Sequence, residues 1–252
     1  MGNFAITGGA TGIGAAIRKR MMDDGHSVVV VDIQQADVVA DLSNPTGRAV
    51  ALAAIRERCN EGLDGFIPCA GVASQAPPKL TTSLNYYGTV ELVDGLRDLL
   101  SKNNGSVLLV SSNSAPMCDH PDYIEILLEQ DEAAALVCAD SINGHQAYSG
   151  TKQAIVRWMR RNINEFSAQG IRINAIAPGY TQTPMTKKVE EDPAYGPAIK
   201  EFMDSIPIGR PGQPEDMANA ASFLLSNQAS FITGSLLFID GGHDAMIRPD
   251  QI

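Results

Sequence analysis

Glycines end the first apolar segment of the chain and begin the helical segment that follows. Phe4–Ile6 leads directly into residues 7–14, which read TGGATGIG. Glycine lets a backbone turn sharply and approach a ligand closely, and a helix N-terminus presents free N–H groups and partial positive charge to a phosphate. A strand, a glycine turn and a helix in this order therefore predict a dinucleotide-binding α/β fold. The expected pyrophosphate contacts are Gly8, Thr11, Gly12, Ile13 and Gly14.

An acidic residue, Asp32, follows the apolar run Val28–Val31, eighteen positions after Gly14. A carboxylate at the end of the second strand is placed to accept hydrogen bonds from adenosine ribose hydroxyls. The same carboxylate repels a 2′-phosphate. No basic residue offsets it nearby, because residues 33–35 read IQQ and loop residues 10–11 read AT. The pattern favours NAD(H) over NADP(H).

Tyr148 and Lys152 lie four positions apart in a segment with a helical pattern. They therefore share one helix face, one turn from each other. An ammonium beside a phenol favours the phenolate and is expected to lower the phenol pKa. The pair predicts a general acid/base that works near neutral pH. Tyr and Lys occur at this spacing by chance in many helices. The pair indicates catalysis only together with the glycine turn elsewhere in the chain.

The composition fits one globular α/β domain, residues 1–252, with 44% hydrophobic and 19% charged residues. A net charge of −10 argues against nucleic-acid and anionic-membrane partners. No apolar run approaches the roughly 20 residues that span a bilayer, and the first strand begins too near Met1 for a signal peptide. Four cysteines without paired or metal-ligand spacing indicate reduced thiols, no metal site and a cytoplasmic location.

Apolar runs alternate with longer amphipathic segments, which is typical of parallel strands joined by crossover helices. One connection is too short for this arrangement, because only six residues separate the second and third strands and a parallel crossover needs about a dozen. Either a helix is missing there or the third strand is misassigned. The predicted strands are Phe4–Thr7, Val28–Val31, Val38–Ala40, Gly65–Cys69, Ser106–Val110, Arg172–Ala175 and Leu236–Ile239. The predicted helices are Ile13–Asp24, Thr46–Cys59, Thr81–Leu100, Ala147–Ala168 and Pro214–Leu225.

With these motifs in place, the chain resembles the short-chain dehydrogenase/reductases from Phe4 to about Gly242. Residues 69–71 read CAG where the family usually has Asn-Ala-Gly, and residues 174–179 and 239–242 read NAIAPG and IDGG. The resemblance implies an α/β, single-domain, Rossmann-type doubly wound parallel sheet of about seven strands in the order 3-2-1-4-5-6-7. A helical insertion would lie between strand 5 and the helix of Tyr148.

The resemblance also implies roles for the matching residues. Tyr148 would exchange a proton with the substrate oxygen, Ser112 would bind the same oxygen, and Lys152 would bind the nicotinamide ribose. Asn85 would anchor a water that links Lys152 to solvent. Ser111 and Ser114 stay open as alternatives for the active hydroxyl. Further cofactor contacts are expected at Asp41 and Leu42, which suit the adenine edge, and at Cys69, Ala70, Gly71, Pro178, Gly179, Thr181 and Thr183.

Two departures narrow the resemblance: the trimmed second crossover and a long stretch between Ser112 and Tyr148. That stretch carries helical patterns around Ile124–Gln130 and Ala133–Asp140. This layout is similar to the bacterial 3α-hydroxysteroid dehydrogenase/carbonyl reductases. In that group the insertion, residues 113–145 here, is associated with a dimer, because it obstructs a helix interface that other members use for tetramers. We expect a homodimer or homotetramer, with the dimer favoured.

Substrate choice is expected to lie in the loop after Cys69, the insertion and residues 180–213, which have the composition of a mobile lid. An apolar lining suits an alicyclic or aromatic secondary alcohol or ketone better than a charged sugar. A steroid is the leading candidate on the subgroup resemblance, and smaller cyclic or aryl ketones are the alternative. The expected pocket residues are Ser114, Met117, Tyr180 and Met185.

Two other classes of function fit part of the pattern. One is a catalytically inactive NAD(H)-binding regulator, which the four intact catalytic positions argue against. The other is a nucleotide-sugar epimerase or dehydratase, which usually has a larger C-terminal domain than the few residues left after Gly242. His120, His145 and His243 are expected at the surface or in packing, with His145 able to border the mouth of the site.

Overall fold

Seven parallel strands form the central sheet in the order β3-β2-β1-β4-β5-β6-β7. The computed structural model describes residues 1–190 and 196–251. The observed order confirms the predicted doubly wound topology. The strands are β1 Asn3–Thr7, β2 Ser27–Asp32, β3 Val38–Val39, β4 Gly65–Pro68, β5 Ser106–Val110, β6 Arg172–Pro178 and β7 Leu236–Ile239.

Helices cover both faces of this sheet. They are α1 Gly12–Asp23, α2 Pro45–Arg58, α3 Pro78–Thr81, α4 Gly88–Gly95, α5 Arg97–Lys102, α6 Pro121–Leu128, α7 Glu132–Ala139, α8 Gly144–Arg161, α9 Ile163–Ala168, α10 Pro184–Glu190, α11 Gly196–Asp204, α12 Pro214–Leu225 and α13 His243–Ile247. A π-helical segment, Thr82–Tyr87, joins α3 to α4. No helix among the described residues is long and apolar enough to cross a membrane.

Two predicted helices are interrupted. The helix expected over Thr81–Leu100 is divided by the π-helical segment and by a break at Leu96. The helix expected over Ala147–Ala168 breaks at Asn162, whose side-chain amide donates to the Trp158 carbonyl at 2.8 Å. Asparagine side chains that bond nearby backbone compete with helical hydrogen bonds, so this break has a local cause.

The short connection before β3 contains no helix. Val31 and Asp32 pair in parallel with Val38 and Val39, so the third strand was correctly assigned. The Asp37 carboxylate accepts a hydrogen bond from the Val30 amide at 2.8 Å and closes the loop back onto β2. Since only two residues of β3 pair, a loop of this length reaches the required register.

Apolar side chains on the two faces of the sheet enter separate cores. Ala5 and Phe66 belong to a cluster that also contains Trp158 of α8. Phe4 and Ile6 belong to the opposite cluster with residues of α1 and α12. Burial on both faces explains why the strands are near-continuous apolar runs.

The predicted insertion is part of the domain. Its helices α6 and α7 correspond to the two helical patterns expected there. The Tyr123 hydroxyl pairs with Thr82 Oγ1 at 2.7 Å, and a Cβ on Gly150 would lie only 2.7 Å from Tyr123 Cδ1. The guanidinium of Arg48, 1% exposed, forms an ion pair with Glu132 at 2.5 Å. The insertion is therefore packed against α8 and ionically linked to α2.

Candidate active site

The glycine turn connects β1 to α1 with two left-handed residues, Gly8 (φ 68°) and Gly12 (φ 57°). Gly14 has no room for a side chain, because a Cβ there would lie 2.1 Å from the Gly8 carbonyl oxygen. Thr11, the N-cap of α1, makes no side-chain hydrogen bond to the helix. Early amide groups of a helix need partners from outside it, and a phosphate placed here would supply them.

The Asp32 carboxylate lies at the end of β2 beside this turn. Its Oδ2 accepts a hydrogen bond from the Ala10 amide at 3.0 Å, and its Oδ1 accepts one from the Ile33 amide at 2.7 Å. Each carboxylate oxygen keeps acceptor capacity for a further donor. The chain thus holds Asp32 in one orientation at the place expected for the adenosine ribose.

The side chains of Asp41 and Leu42 make contacts within the protein, unlike Asp32, which keeps acceptor capacity for a ligand. Asp41 Oδ1 accepts from the amide and hydroxyl of Ser43 at 2.9 and 2.7 Å, and these bonds lower the pKa of Asp41. The Leu42 side chain is buried in the core. The structure therefore places Asp41 in its own turn and Leu42 in the core, and the adenine contact stays a prediction.

The loop after β4 is joined to the glycine turn. Thr7 accepts from the Cys69 amide with its carbonyl at 3.2 Å and from the Ala70 amide with its hydroxyl at 3.0 Å. A Cβ on Gly8 would lie 2.6 Å from Ala70 Cα. Burial raises the pKa of the Cys69 thiol to about 11, against the opposing charge of Lys152, so this thiol is neutral.

Asn85, fully buried in the π-helical segment, binds the same loop through both atoms of its side-chain amide. Its Oδ1 accepts from the Val72 amide at 2.9 Å and its Nδ2 donates to the Val72 carbonyl at 3.0 Å. A Cβ on Gly71 would meet Asn85 Oδ1 at 3.0 Å and Lys152 Nζ at 3.8 Å. These two bonds fix the Asn85 side chain against the loop, and each of its amide atoms keeps one further hydrogen-bonding position, so the water expected at Asn85 stays a prediction.

Ser112 follows the carboxyl end of β5, and its hydroxyl lies near enough to the phenol oxygen of Tyr148 to influence that group. Burial raises the pKa of Tyr148, and the polar side chain of Ser112 acts against that rise. Ser112 Oγ also accepts from the amide and hydroxyl of Ser114 at 3.2 and 3.0 Å. Ser111 donates its hydroxyl to the Lys152 carbonyl at 2.9 Å and so is turned away from this oxygen pair. The geometry favours Ser112 among the three serines.

Lys152 lies one turn further along α8, with Nζ 5.8 Å from the centre of the Tyr148 ring. Its ammonium donates to the Val110 carbonyl at 2.9 Å, and burial lowers its pKa to about 8. The expectation that Lys152 holds the pKa of Tyr148 below its ordinary value is therefore wrong for the protein alone. Removing the phenol from water raises its pKa by more than nearby polar groups lower it.

The segment after β6 returns to the glycine turn. The Gly179 amide donates to the Ile239 carbonyl at 3.0 Å, next to Pro178 at the end of β6. Thr183 is the residue nearest to a Cβ built on Gly12, at 3.5 Å, so the structure brings it to the turn. Thr181 is buried and donates its hydroxyl to the Gly179 carbonyl at 3.0 Å, so that hydroxyl is directed at its own backbone.

The predicted pocket residues differ in how far they are covered by the rest of the chain. Met117 is 39% and Met185 is 47% exposed, while Tyr180 packs its ring edge against Phe202 of α11 at 6.1 Å between centroids. The predicted lid, residues 180–213, includes residues 191–195, which lie outside the described residues. Within the described ranges, α10 and α11 flank that gap.

His243, which was expected at the surface or in packing, is a packing residue and lies near the neighbour of Ser112. It is 6% exposed, its ring lies 4.6 Å from that of Phe202, and its Nδ1 is 3.5 Å from Nδ2 of Asn113, the neighbour of Ser112. These three residues come from distant segments, so no local pattern could join them. The position of His243 directly after the IDGG turn was the available signal. His120 caps α6, and His145 is exposed.

No group of three or more His, Cys, Asp or Glu side chains is placed to hold a metal ion in residues 1–190 and 196–251. The site is thus a set of hydroxyl, phenol, ammonium and carboxylate groups around a glycine turn. Such a set suits proton transfer and hydrogen bonding beside a bound dinucleotide.

Comparison with known proteins gives two matching family models. The model described as short chain dehydrogenase matches residues 3–120, and the one described as enoyl-(acyl carrier protein) reductase matches residues 132–244. The chain is 38% identical over 258 aligned positions to the 3-alpha-hydroxysteroid dehydrogenase/carbonyl reductase of Comamonas testosteroni, with 100% of each protein covered.

Two further similarities cover nearly the whole chain. It is 31% identical to the 2,5-dichloro-2,5-cyclohexadiene-1,4-diol dehydrogenase LinX of Sphingobium indicum, over 94% of each protein. The crystal structure of the 3-alpha-hydroxysteroid dehydrogenase from Pseudomonas sp. B-0831 complexed with NADH matches with a TM-score of 0.95 and 40% identity. That match covers 99% of this chain and 100% of the other.

Proposed function

The chain belongs to the short-chain dehydrogenase/reductase family and is an NAD(H)-dependent oxidoreductase, and from this premise we propose that it interconverts hydrophobic secondary alcohols and their ketones. The proposed leading substrates are 3α-hydroxysteroids and the corresponding 3-ketosteroids. The observation that carries the proposal is the convergence of three side chains: Ser112, just after β5, acts on the buried phenol of Tyr148, and the Lys152 ammonium lies 5.8 Å from the centre of the same ring. Two oxygens so placed suit a single substrate oxygen.

The named activities of the relatives support a cyclic substrate. The Comamonas relative is named for hydroxysteroids and carbonyl compounds, and the Sphingobium relative for a chlorinated cyclohexadiene diol. Partly exposed Met117 and Met185 offer flexible apolar contacts of the kind that adapt to ring systems. Smaller cyclic or aryl ketones remain the second candidate, because the same side chains would contact them.

The cradle around the glycine turn fits an NAD(H) molecule. We assign its diphosphate to the start of α1, its adenosine ribose to Asp32, and its nicotinamide ribose to Tyr148 and Lys152. The bound nicotinamide supplies or accepts the hydride. The contacts proposed beyond these use residues 69–71, Pro178, Gly179, Thr181 and Thr183.

In the proposed reduction, Tyr148 donates its proton to the ketone oxygen while Ser112 donates a hydrogen bond to that oxygen. A phenol is protonated at neutral pH, and burial raises the pKa of Tyr148 further, so it holds the proton that it donates. Lys152, buried next to the same helix face, then returns a proton to Tyr148. In oxidation the same groups act in the opposite order.

A substrate panel tests this proposal. Purified protein is mixed with NAD⁺ or NADP⁺ and with steroid, cycloalkyl or aryl secondary alcohols, and reduced cofactor is followed by its absorbance. We expect turnover with NAD⁺ and highest kcat/KM for the 3α-hydroxysteroids. A best substrate among small alcohols would favour the second candidate. No turnover of any alcohol or ketone, with NADH bound normally, would leave the inactive regulator instead.

We also propose a homodimer, and a cytoplasmic location in keeping with four free cysteines. Strand β7 is an open edge of the sheet, and Phe231 beside it is fully exposed together with partly exposed Phe223 and Leu237. An edge strand offers unpaired main-chain groups to a second copy related by a twofold axis. Helix α8 and the π-helical segment are meanwhile covered by the insertion through Tyr123.

A further inference from the structure

A cleft of about 260 Å³ opens beside the glycine turn, on the outer side of α1. It shares Ala10 with the Asp32 site, because the amide of Ala10 donates to the Asp32 carboxylate at 3.0 Å. The cleft therefore borders the place assigned above to the adenosine ribose. Its lining consists of Gly9, Ala10, Ala15, Arg18, Lys19, Met22 and Asp23.

Arg18 is the basic group of this cleft that lacks a full set of partners. Its Nε is buried and has no hydrogen-bond partner among the residues that the structure describes. Lys19 and Asp23, by contrast, form an ion pair with each other at 2.5 Å. Helical side chains lean toward the N-terminus of their helix, and Ala15 and Ala10, which lie on that side of Arg18, line the same cleft.

Arg18 bears on how the chain discriminates between NAD(H) and NADP(H). The sequence around Asp32 contains no basic residue that would offset its charge. The cleft contains one from α1, Arg18, and it shares Ala10 with the Asp32 site. A guanidinium presents several N–H donors in a plane that matches phosphate oxygens, and its attraction for phosphate opposes the repulsion that Asp32 exerts.

We propose that Arg18 forms a latent subsite for a phosphomonoester beside Asp32, and that the phosphate it takes is the 2′-phosphate of NADP(H). This inference deepens the proposed function, since it concerns the cofactor of the same site. The chain then rejects NADP(H) through Asp32 alone. Replacing the Asp32 carboxylate with a neutral amide exposes a cation that is already in place.

The test measures binding of 2′,5′-ADP and 5′-AMP, which differ only in the 2′-phosphate, by calorimetry. The proteins are wild type, Asp32→Asn, Asp32→Asn/Arg18→Gln and, as a matched control, Asp32→Asn/Arg20→Gln. Arg20 lies on the same helix but pairs with Asp24 and Asn219, so its removal changes the net charge equally without touching the cleft.

We expect Asp32→Asn to bind 2′,5′-ADP at least about tenfold more tightly than wild type, the effect of one charge-assisted contact. Adding Arg18→Gln should remove most of that gain and leave 5′-AMP binding within about twofold. Adding Arg20→Gln should leave both affinities near those of Asp32→Asn. Inorganic phosphate should compete with 2′,5′-ADP only weakly, because it lacks the nucleoside that the site also holds.

Three results would overturn the proposal. In the first, Arg18→Gln does not weaken 2′,5′-ADP binding, and in the second it weakens 5′-AMP equally, as a merely structural residue would. In the third, inorganic phosphate binds through Arg18 as tightly as 2′,5′-ADP, which would make the cleft a free-anion site. None of these measurements needs turnover, so failure of the proposed alcohol oxidation would be recognised separately.

Discussion

The buried phenol and ammonium on α8 have pKa values displaced in opposite directions by the same cause. Burial disfavours whichever form carries charge, so the pKa of Tyr148 is raised and that of Lys152 is lowered to about 8. At pH 7 the phenol is therefore neutral, whereas Lys152 still carries its charge, at a cost in stability. The sequence predicted the pair from its spacing, but the sign of the Tyr148 shift depends on burial that spacing does not contain.

Replacing Tyr148 with phenylalanine removes the proposed proton donor and little else. We expect kcat to fall by about 10²- to 10⁴-fold, the usual contribution of a positioned acid, with NADH affinity nearly unchanged in a fluorescence titration. Tyr87→Phe is the matched control, since that buried hydroxyl has no hydrogen-bond partner among the described residues. Comparable losses in both variants would argue against a special role for Tyr148.

Lys152→Met should make the protein without cofactor more stable at pH 7 while reducing activity. Lowering the Lys152 pKa from 10.5 to about 8 corresponds to roughly 3 kcal/mol of destabilisation below pH 8, at about 1.4 kcal/mol per pH unit. Loss of the bond to the Val110 carbonyl offsets about 1–2 kcal/mol of this. A net gain of about 1–2 kcal/mol in unfolding free energy should therefore appear in urea titrations.

The stability gain of Lys152→Met should change with pH, and the direction of that change tests the burial argument. Because the folded-state pKa of Lys152 lies below the unfolded value, wild type gains stability as pH rises from about 8 to 10.5. The advantage of the methionine variant should shrink across that window. Lys102→Met, at an exposed position, should show no such trend, and a constant advantage for Lys152→Met would contradict the burial argument.

At the scale of elements, the insertion and α8 fit each other closely at Gly150. The helical patterns of α6 and α7 were readable from sequence, whereas their contact surface was not. Tyr123 and Thr82 are far apart in the chain, and neither belongs to a motif. The broken helices around Leu96 and Asn162 were missed for a related reason, because interruptions by side-chain bonds and π-helical turns leave the apolar periodicity largely intact.

Gly150→Ala should destabilise the protein although alanine is the better helix former. The helix itself would gain about 1 kcal/mol, but the added Cβ would lie 2.7 Å from Tyr123 Cδ1. Tyr123 is fully buried and bonded to Thr82, so its ring has little room to move, and overpacking of this kind costs about 1–3 kcal/mol. Thermal unfolding of the variant should show a lower Tm than wild type.

A double-mutant cycle separates the close contact from other effects of the substitution. In a Tyr123→Leu background the ring is gone, and Gly150→Ala should be neutral or stabilising. An equal loss of stability in both backgrounds would show that the cost of Gly150→Ala does not come from Tyr123.

For the whole molecule, the strand order, the position of β3 and the placement of the proposed catalytic groups at one end of the sheet were all predictable. Alternation of apolar runs predicted parallel strands with crossover helices, and the resemblance to the short-chain dehydrogenase/reductases supplied their order. The cleft that Arg18 shares with Ala10, and the approach of His243 to Asn113, could not be read in advance. These contacts join residues from different segments, and only packing determines which segments become neighbours.

The proposed dimer is testable at the open edge of β7. Phe231→Glu places a charge on a fully exposed aromatic position, and burying that charge against a second copy would be costly. Sedimentation velocity should show wild type as a dimer and Phe231→Glu as a monomer. Val137→Glu, on the exposed side of α7 at 72% exposure, is the control and should remain dimeric. Dissociation by Val137→Glu instead would move the interface to the insertion.

The contact between Gly8 and Ala70 bears on how such enzymes could be recombined. A Cβ on Gly8 would lie 2.6 Å from Ala70 Cα, and Thr7 bonds the amides of Cys69 and Ala70. Replacing only residues 7–14, or only residues 69–72, with the loop of a relative would disturb the contact between the two loops and thus the proposed nucleotide site. A chimera that exchanges residues 7–14 and 69–72 together preserves their shared backbone spacing, so the two loops are best regarded as one exchangeable module.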